Sequence, residues 1–376
     1  MQVCQDTLEQ NDEMTGDADM ANTMMDAVFA SLTSQRPEFT SAMTIWSKVL
    51  QPALEAREAE RKATIAKATK QTIVTGAVVL AIAAAIVFFA GFGAIMFIIF
   101  GGVIATAVGS SIAWLPLMAM KSETKQLVVG SAAESFGFKY DTLHPDVSGI
   151  KDWKSAGSWM KQNAKISSGF DGEAAPTPAF DVLKEARLLP GYDNRKFEDL
   201  IEGDRADTHF SLVECKLTQE QGSGKNKRTV TTFQGLLFHI QYPERFLGRT
   251  LIARQGWWKG IFGDKTLQKV DLVAKELEDN FTIYSNDQVE ARALLTPDRM
   301  ERLIALERHF KGGKLRGVFE GDHLTLALEA KDQFEAGSIW KPLVDPQRYI
   351  SALTEIGLVC DVIDGFLTRE WVKDKL

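Results

Sequence analysis

The charged side chains most tightly grouped along this chain are Asp287, Glu290 and Arg292. Asp followed by Glu three residues later is the spacing of a capping box, in which two side chains satisfy free N–H groups at a helix start. A helix start also gathers N–H donors and positive dipole at one point. The trio therefore has two readings: a capped helix with an internal ion pair, or a binding site for a polar ligand. The five histidines, at 144, 209, 239, 309 and 323, show no ligand spacing, and His144-Pro145-Asp146 reads as incidental neighbours in a loop. Cys4, Cys215 and Cys360 lie too far apart for a C-x-x-C pair, so neither a disulfide framework nor a zinc site is indicated. No Gly-x-Ser-x-Gly elbow, His-Glu-x-x-His pair or dinucleotide fingerprint occurs. The segment Glu220–Asn226 contains Gly-Lys, but Gln219 stands where a phosphate loop needs Gly, and Asn226 where it needs Ser or Thr. It reads as a hairpin turn. These residues indicate no catalytic group, no metal and no cofactor.

A second set is aromatic. Trp257, Trp258 and Phe262 stand with Lys259 in the Gly-rich run Gly256–Gly263, and Trp114 closes a long apolar segment. Amphipathic rings beside Lys suit a membrane–water interface. The alternative is that Trp257 and Trp258 tuck into the protein's own core.

The element that positions everything else is Gln71–Met120, fifty residues without one Asp, Glu, Lys or Arg. About 20 apolar residues cross a bilayer as a helix, so this stretch is long enough for two spans. It divides at Gly91-Phe92-Gly93 into 72–90 and 94–115. Arg57, Arg61, Lys62, Lys67 and Lys70 precede it, Lys121 and Lys125 follow it, and the turn is uncharged. Basic flanks stay on the cytoplasmic side, which predicts a hairpin with both termini cytoplasmic. Small residues recur at helical spacing: Ala77, Ala81 and Ala85, then Gly101, Ala105 and Gly109. Such rows let membrane helices approach closely, either within the hairpin or between copies of the chain. No ionisable group sits in either span, which argues against a proton or ion path.

Around the hairpin the chain divides into five parts. Residues 1–40 carry eight acidic side chains against Arg36 and read as a flexible tail. Residues 41–71 form an amphipathic juxtamembrane helix, with Trp46 on a face that lies either on the bilayer or on the folded domain. The hairpin occupies 72–118. Residues 119–179 continue as helix and then linker. Residues 180–376 make a cytosolic domain of mostly antiparallel strands with packed helices, an α+β fold. Its strands are 207–219, with a bulge expected at Leu212–Val213 where the alternation slips, then 227–242, 249–254, 269–273, 281–285, 315–320 and 323–329. Its helices begin at Asp287, at Thr296-Pro297 and at Asp345-Pro346. A net charge of −7 gives no reason to expect nucleic acid.

Several pieces carry a family resemblance: Glu198–Gly203, Phe233–Phe238, Phe246–Thr250, and Tyr284–Arg292 running into Leu294-Leu-Thr-Pro297. In order and spacing the stretch from Leu188 onward resembles the bacterial domain-of-unknown-function family thirty-one thirty-seven. The resemblance implies a membrane protein with a cytosolic α+β domain, and it transfers no catalytic residue; the location expected is the bacterial inner membrane. Together the residues and the resemblance lead to a membrane-held module that binds lipid headgroups or a protein partner. The alternative is a membrane-anchored enzyme with a dispersed acidic and histidine site in residues 180–376.

Overall fold

The computed structural model describes residues 27–34, 36–90, 95–143, 174–254, 266–271, 280–310 and 313–367. Its centre is a nine-stranded sheet in which every neighbouring pair is antiparallel. The strands are β1 (Lys139–Thr142), β2 (Asn194–Arg205), β3 (Thr208–Gln221), β4 (Arg228–Gln241), β5 (Thr250–Arg254), β6 (Gln268–Val270), β7 (Phe281–Ser285), β8 (Leu315–Glu320) and β9 (His323–Glu329). They lie in the order β1-β2-β3-β4-β9-β8-β5-β7-β6. The large antiparallel sheet with packed helices bears out the α+β class.

Both faces of the sheet are covered. On β3, Phe210 and Leu212 enter one core, while Val213, Cys215 and Leu217 enter the other. That corrects the bulge expected at Leu212–Val213. Pairing runs unbroken from Phe210–Ile240 to Leu217–Phe233, and both residues are buried because successive side chains serve different covered faces. The real register shifts fall at Leu217/Thr218 and, in β2, between Phe197 and Leu200.

Two long helices dominate the rest: α1 (Gln51–Ala90) and α2 (Ile95–Ser135). Arg57 meets Glu123, and Gly102 faces Val79. The contacts advance along one helix as they retreat along the other, so the two are antiparallel neighbours. Among the described residues, one helix, Pro37–Phe88, is long and apolar enough to cross a membrane, and its most apolar window has no buried residue. The described part of the structure therefore identifies a single candidate span, not two. Ala77, Ala81 and Ala85 are exposed rather than turned toward α2, and so is Gly101; Ala105 and Gly109 lie outside the described side chains. The seam runs one face over, where Val79 packs at 3.2 Å from the Cβ position of Gly102. Small residues still line it, Gly102 with Thr106 and Ser110, whose hydroxyls donate to the carbonyls one turn back.

The lower ends of both helices enter the core. Val128, Val129, Ala132 and Ala133 of α2 are buried there with Leu54 of α1 and with Leu50 just before it. The chain enters α1 through Pro37–Leu50, wound successively as 3-10, α and π turns. The wider last turn comes just before Pro52, which has no N–H to offer its preceding turn. Trp46 stacks on Tyr349 at 6.4 Å, so its face packs on the folded domain. Within the stretch read as an acidic tail, residues 27–34 are helical and Phe29 is buried. Further α-helices among the described residues are α3 (Ala179–Glu185), α4 (Gln288–Leu294), α5 (Pro297–His309) and α6 (Pro346–Leu367). Tyr349, Leu353, Ile356, Cys360 and Ile363 of α6 are buried in the same core as α2.

Candidate functional site

Three segments converge where the hairpin meets the sheet: α2, the irregular stretch of β2, and the 330–345 connection between β9 and α6. On α2, Trp114, Met118, Lys121 and Lys125 recur every three or four residues and so share one face. Lys125 is buried. Its Nζ donates to Asp199 Oδ2 at 2.8 Å and to Glu335 Oε1 at 3.3 Å. The Tyr140 hydroxyl donates to Asp199 Oδ1 at 2.7 Å. Asp199 belongs to the stretch where β2 shifts register, a device that re-aims a side chain. Glu214, on the β3 face shared with Phe210 and Leu212, completes the group.

The electrostatics follow from burial. Burial raises the Glu214 pKa to about 9, and the neighbouring Asp199 charge and their shared hydrogen bond add to the rise. Burial likewise raises Glu355 to about 7, against the Phe334 N–H that its carboxylate accepts at 2.6 Å. Lys125 keeps its charge: burial opposes it, but Asp199 and Glu335 outweigh burial and raise its pKa. Buried ionised groups persist only when paired in this way.

The 335–343 loop is held from two sides. Glu58 of α1 accepts Arg61 Nη2 at 2.6 Å and the Leu343 N–H at 2.9 Å, while Arg61 Nη1 donates to the Ile339 carbonyl at 3.0 Å. The bond from Arg61 is the main reason the Glu58 pKa falls to about 2. From α6, Arg348 donates to the carbonyls of Ala336, Ser338 and Pro342. Gly337 sits among them at φ +81°, a backbone that L residues avoid, and a Cβ there would lie 2.9 Å from Arg348 Nη1.

Between this loop and α2 lies a groove of about 590 Å³. Trp114, Leu117, Met118 and Lys121 form one wall; Glu335, Ile339 and Trp340 form the other. The Trp114 and Trp340 rings meet at 5.1 Å, and Lys121 Nζ lies 3.2 Å from Glu335 Oε2. Trp340 and Met118 are more than half exposed.

The other expected site residues are placed differently. Asp287 caps α4, its Oδ1 accepting from the N–H groups of Val289 and Glu290. Glu290 does not complete the box. Its carboxylate accepts from Leu247 N–H at 2.7 Å and Gly248 N–H at 2.9 Å, pinning the chain ahead of β5 to the start of α4. It also borders a cavity of about 210 Å³ with Tyr242, Phe246 and Arg299. Arg292 turns elsewhere, to the Asp271 carbonyl and the Gln288 side chain. The capping reading thus has the geometry of a cross-brace rather than an internal ion pair. Trp257, Trp258, Phe262 and the His144–Asp146 tripeptide lie outside the described residues. His239 and His323 stack at 4.3 Å, and burial lowers the His239 pKa to about 4. Among the described residues, no group of three or more His, Cys, Asp or Glu side chains is arranged to hold a metal.

Sequence reasoning missed Lys125, Asp199, Tyr140, Glu214 and Glu335 as a group. No local signal unites residues that come from five separate segments of the chain.

The comparisons with known proteins are few. No curated protein matches the chain. A crystal structure of the mycobacterial trehalose monomycolate transport factor A, TtfA, aligns over 65% of this chain and 96% of that one, at 8% identity and a TM-score of 0.29. A likeness that low bears on neither fold nor function. The model of a family described as "Protein of unknown function (DUF3137)" matches residues 231–367, from within β4 to the end of α6. The matched region includes the Phe233, Phe246 and Tyr284 motifs, but the match begins after the Glu198–Gly203 piece. Residues 231–367, somewhat over a third of the chain, are thus the part that matches a family of unknown function.

Proposed function

We infer that α1 and α2 insert as a hairpin into the cytoplasmic membrane of a bacterium and hold the sheet against its inner surface as a binding module. One observation carries this reading. Ile73, Val74, Leu80, Ile82 and Phe88 on α1, with Val103 and Ile104 on α2, are exposed, while the same helices lower down are sealed into the sheet's core. An uncovered apolar belt of this kind marks contact with lipid or a partner, and its uncharged length suits a bilayer. The basic flanks favour both chain ends on the cytoplasmic side. The juxtamembrane parts are continuous helix, so the module is rigidly mounted rather than loosely tethered.

The enzyme reading draws its support from the raised pKa values of Glu214 and Glu355, since perturbed carboxylates often mark active sites. Burial weighs against it. Asp199 and Glu214 have no open path to a substrate in the groove, which touches only Glu335 of that group. We therefore read the cluster as the joint between hairpin and sheet.

The test is membrane extraction combined with reporter fusions. The full chain should stay in the membrane fraction at alkaline pH, and reporters at both ends should be active in the cytoplasm. Release by alkali, or a reporter found outside, would overturn the reading.

A further inference from the structure

We propose that the groove between α2 and the 335–340 loop binds one zwitterionic, primary-amine phospholipid from the bilayer. This rests on the membrane reading above. Three observations commit the groove to that occupant.

The first is position. Trp114 and Met118 belong to the uncharged stretch, and Lys121 is the first charge beyond it. Along a helix these residues span about 10 Å, the depth over which a bilayer passes from hydrocarbon to headgroup. The groove therefore lies where the uncharged stretch ends, below the exposed apolar residues of the same helix pair.

The second is the order of its walls. Trp114, Leu117, Met118, Ile339 and Trp340 supply apolar and aromatic surface, followed by Lys121 and Glu335. Two tryptophans in contact at such a boundary suit the glycerol and upper acyl region of a lipid.

The third is charge. The groove offers one cation and one anion, already 3.2 Å apart. A phosphate placed on Lys121 alone would be repelled by Glu335, which disfavours a headgroup with net negative charge. A primary ammonium two carbons away from that phosphate donates N–H hydrogen bonds to the Glu335 carboxylate, which a quaternary one lacks the hydrogens to do, so both protein charges keep a partner. Lys125 holds the second oxygen of Glu335 at 3.3 Å, which fixes the carboxylate in place for that contact.

The test uses delipidated full-length protein in detergent, titrated with short-chain phosphatidylethanolamine, short-chain phosphatidylglycerol and inorganic phosphate, with bound lipid counted by native mass spectrometry. Phosphatidylethanolamine should bind one to one and at least about 10-fold more tightly than phosphatidylglycerol, and inorganic phosphate should not compete. Trp340→Ala should weaken it about 10-fold, and Glu335→Gln should abolish the preference between the two lipids. Trp340→Ala should melt within a few degrees of the parent, because Trp340 is largely exposed; Glu335→Gln leaves Lys125 only Asp199 as a charged partner and should melt lower, so it is read by the ratio of the two lipid affinities and not by affinity alone. Absence of saturable binding, equal binding of both lipids to the parent, or no change in Trp340→Ala would overturn the proposal. So would competition by phosphate alone. If the protein resists alkaline extraction yet fails these titrations, the lipid site is wrong and the membrane reading stands. If alkali releases it, both fall.

Discussion

Lys125 Nζ and Asp199 Oδ2 meet at 2.8 Å with 2% and 0% of their side chains exposed. This ion pair joins the hairpin to the sheet at a point water does not reach. Breaking such a pair from one side strands a charge, at a cost of roughly 3–5 kcal/mol. Lys125→Met should destabilise the protein by about that amount in chemical denaturation of the detergent-solubilised chain. Lys125→Met with Asp199→Asn should recover part of the loss, because the stranded charge is gone. A single variant as stable as the parent would show that the pair does not hold the joint.

The neighbouring carboxylates predict a pH dependence. Burial raises Glu355 to about 7 and Glu214 to about 9, both above the ordinary 4.5. The folded chain therefore holds protons that the unfolded chain releases, so stability falls as pH rises from about 4.5 through those two values. Glu355→Gln and Glu214→Gln should each flatten that decline and raise the melting temperature at pH 8 relative to the parent. A scan from pH 5 to 9 checks the sign. A steeper decline in the variants would contradict the assignment.

Gly337 and Arg348 fix the loop that forms one wall of the groove. Gly337→Ala places an L residue at φ +81° and crowds the guanidinium, with an expected cost of about 1–2 kcal/mol. Arg348→Met leaves several carbonyls without their donor and should cost about 2–4 kcal/mol. In both variants hydrogen exchange should accelerate at residues 335–343 before it does in β3 and β4. Unchanged exchange there would mean that Arg61 and Glu58 suffice to hold the loop.

Arg205, at the end of β2, donates to Glu38 at 2.8 Å and to Asp364 Oδ1 at 2.9 Å, tying the N-terminal segment to α6. It is partly exposed, so the network is worth about 1 kcal/mol. Arg205→Met should lower stability by that small amount and selectively raise exchange in residues 36–45. An effect spread evenly over the sheet would point to a different role.

The sequence made some of this legible. The hairpin across Gly321-Asp322, the Asp287 cap and the apolar seam of α6 all follow from local residue types, and the structure holds each of them. The second strand did not announce itself. Asn194–Arg205 is mostly charged or amidated, and its register shift breaks the alternation that would expose Phe197, Leu200 and Ile201 as strand residues. Asp199 was hidden with it. Its partner lies 74 residues away on a helix, and periodicity cannot report a contact at that distance. The small-residue rows were visible, but their facing was not. A stripe read along one helix does not say which neighbour it meets, and Val79 with Gly102 won over Ala77, Ala81 and Ala85.

The two long helices have a mechanical consequence. Forty residues of unbroken helix reach about 60 Å, and α1 runs that distance from exposed apolar surface to buried core. Such a pair is a lever with its fulcrum at the Lys125–Asp199 joint. A tilt of about 10° at the apolar end would sweep through about 10 Å over that length, and the packed base would carry part of it to the sheet. On the membrane reading proposed above, changes in bilayer thickness or lateral pressure would in this way arrive at the sheet as motion, with no messenger between them.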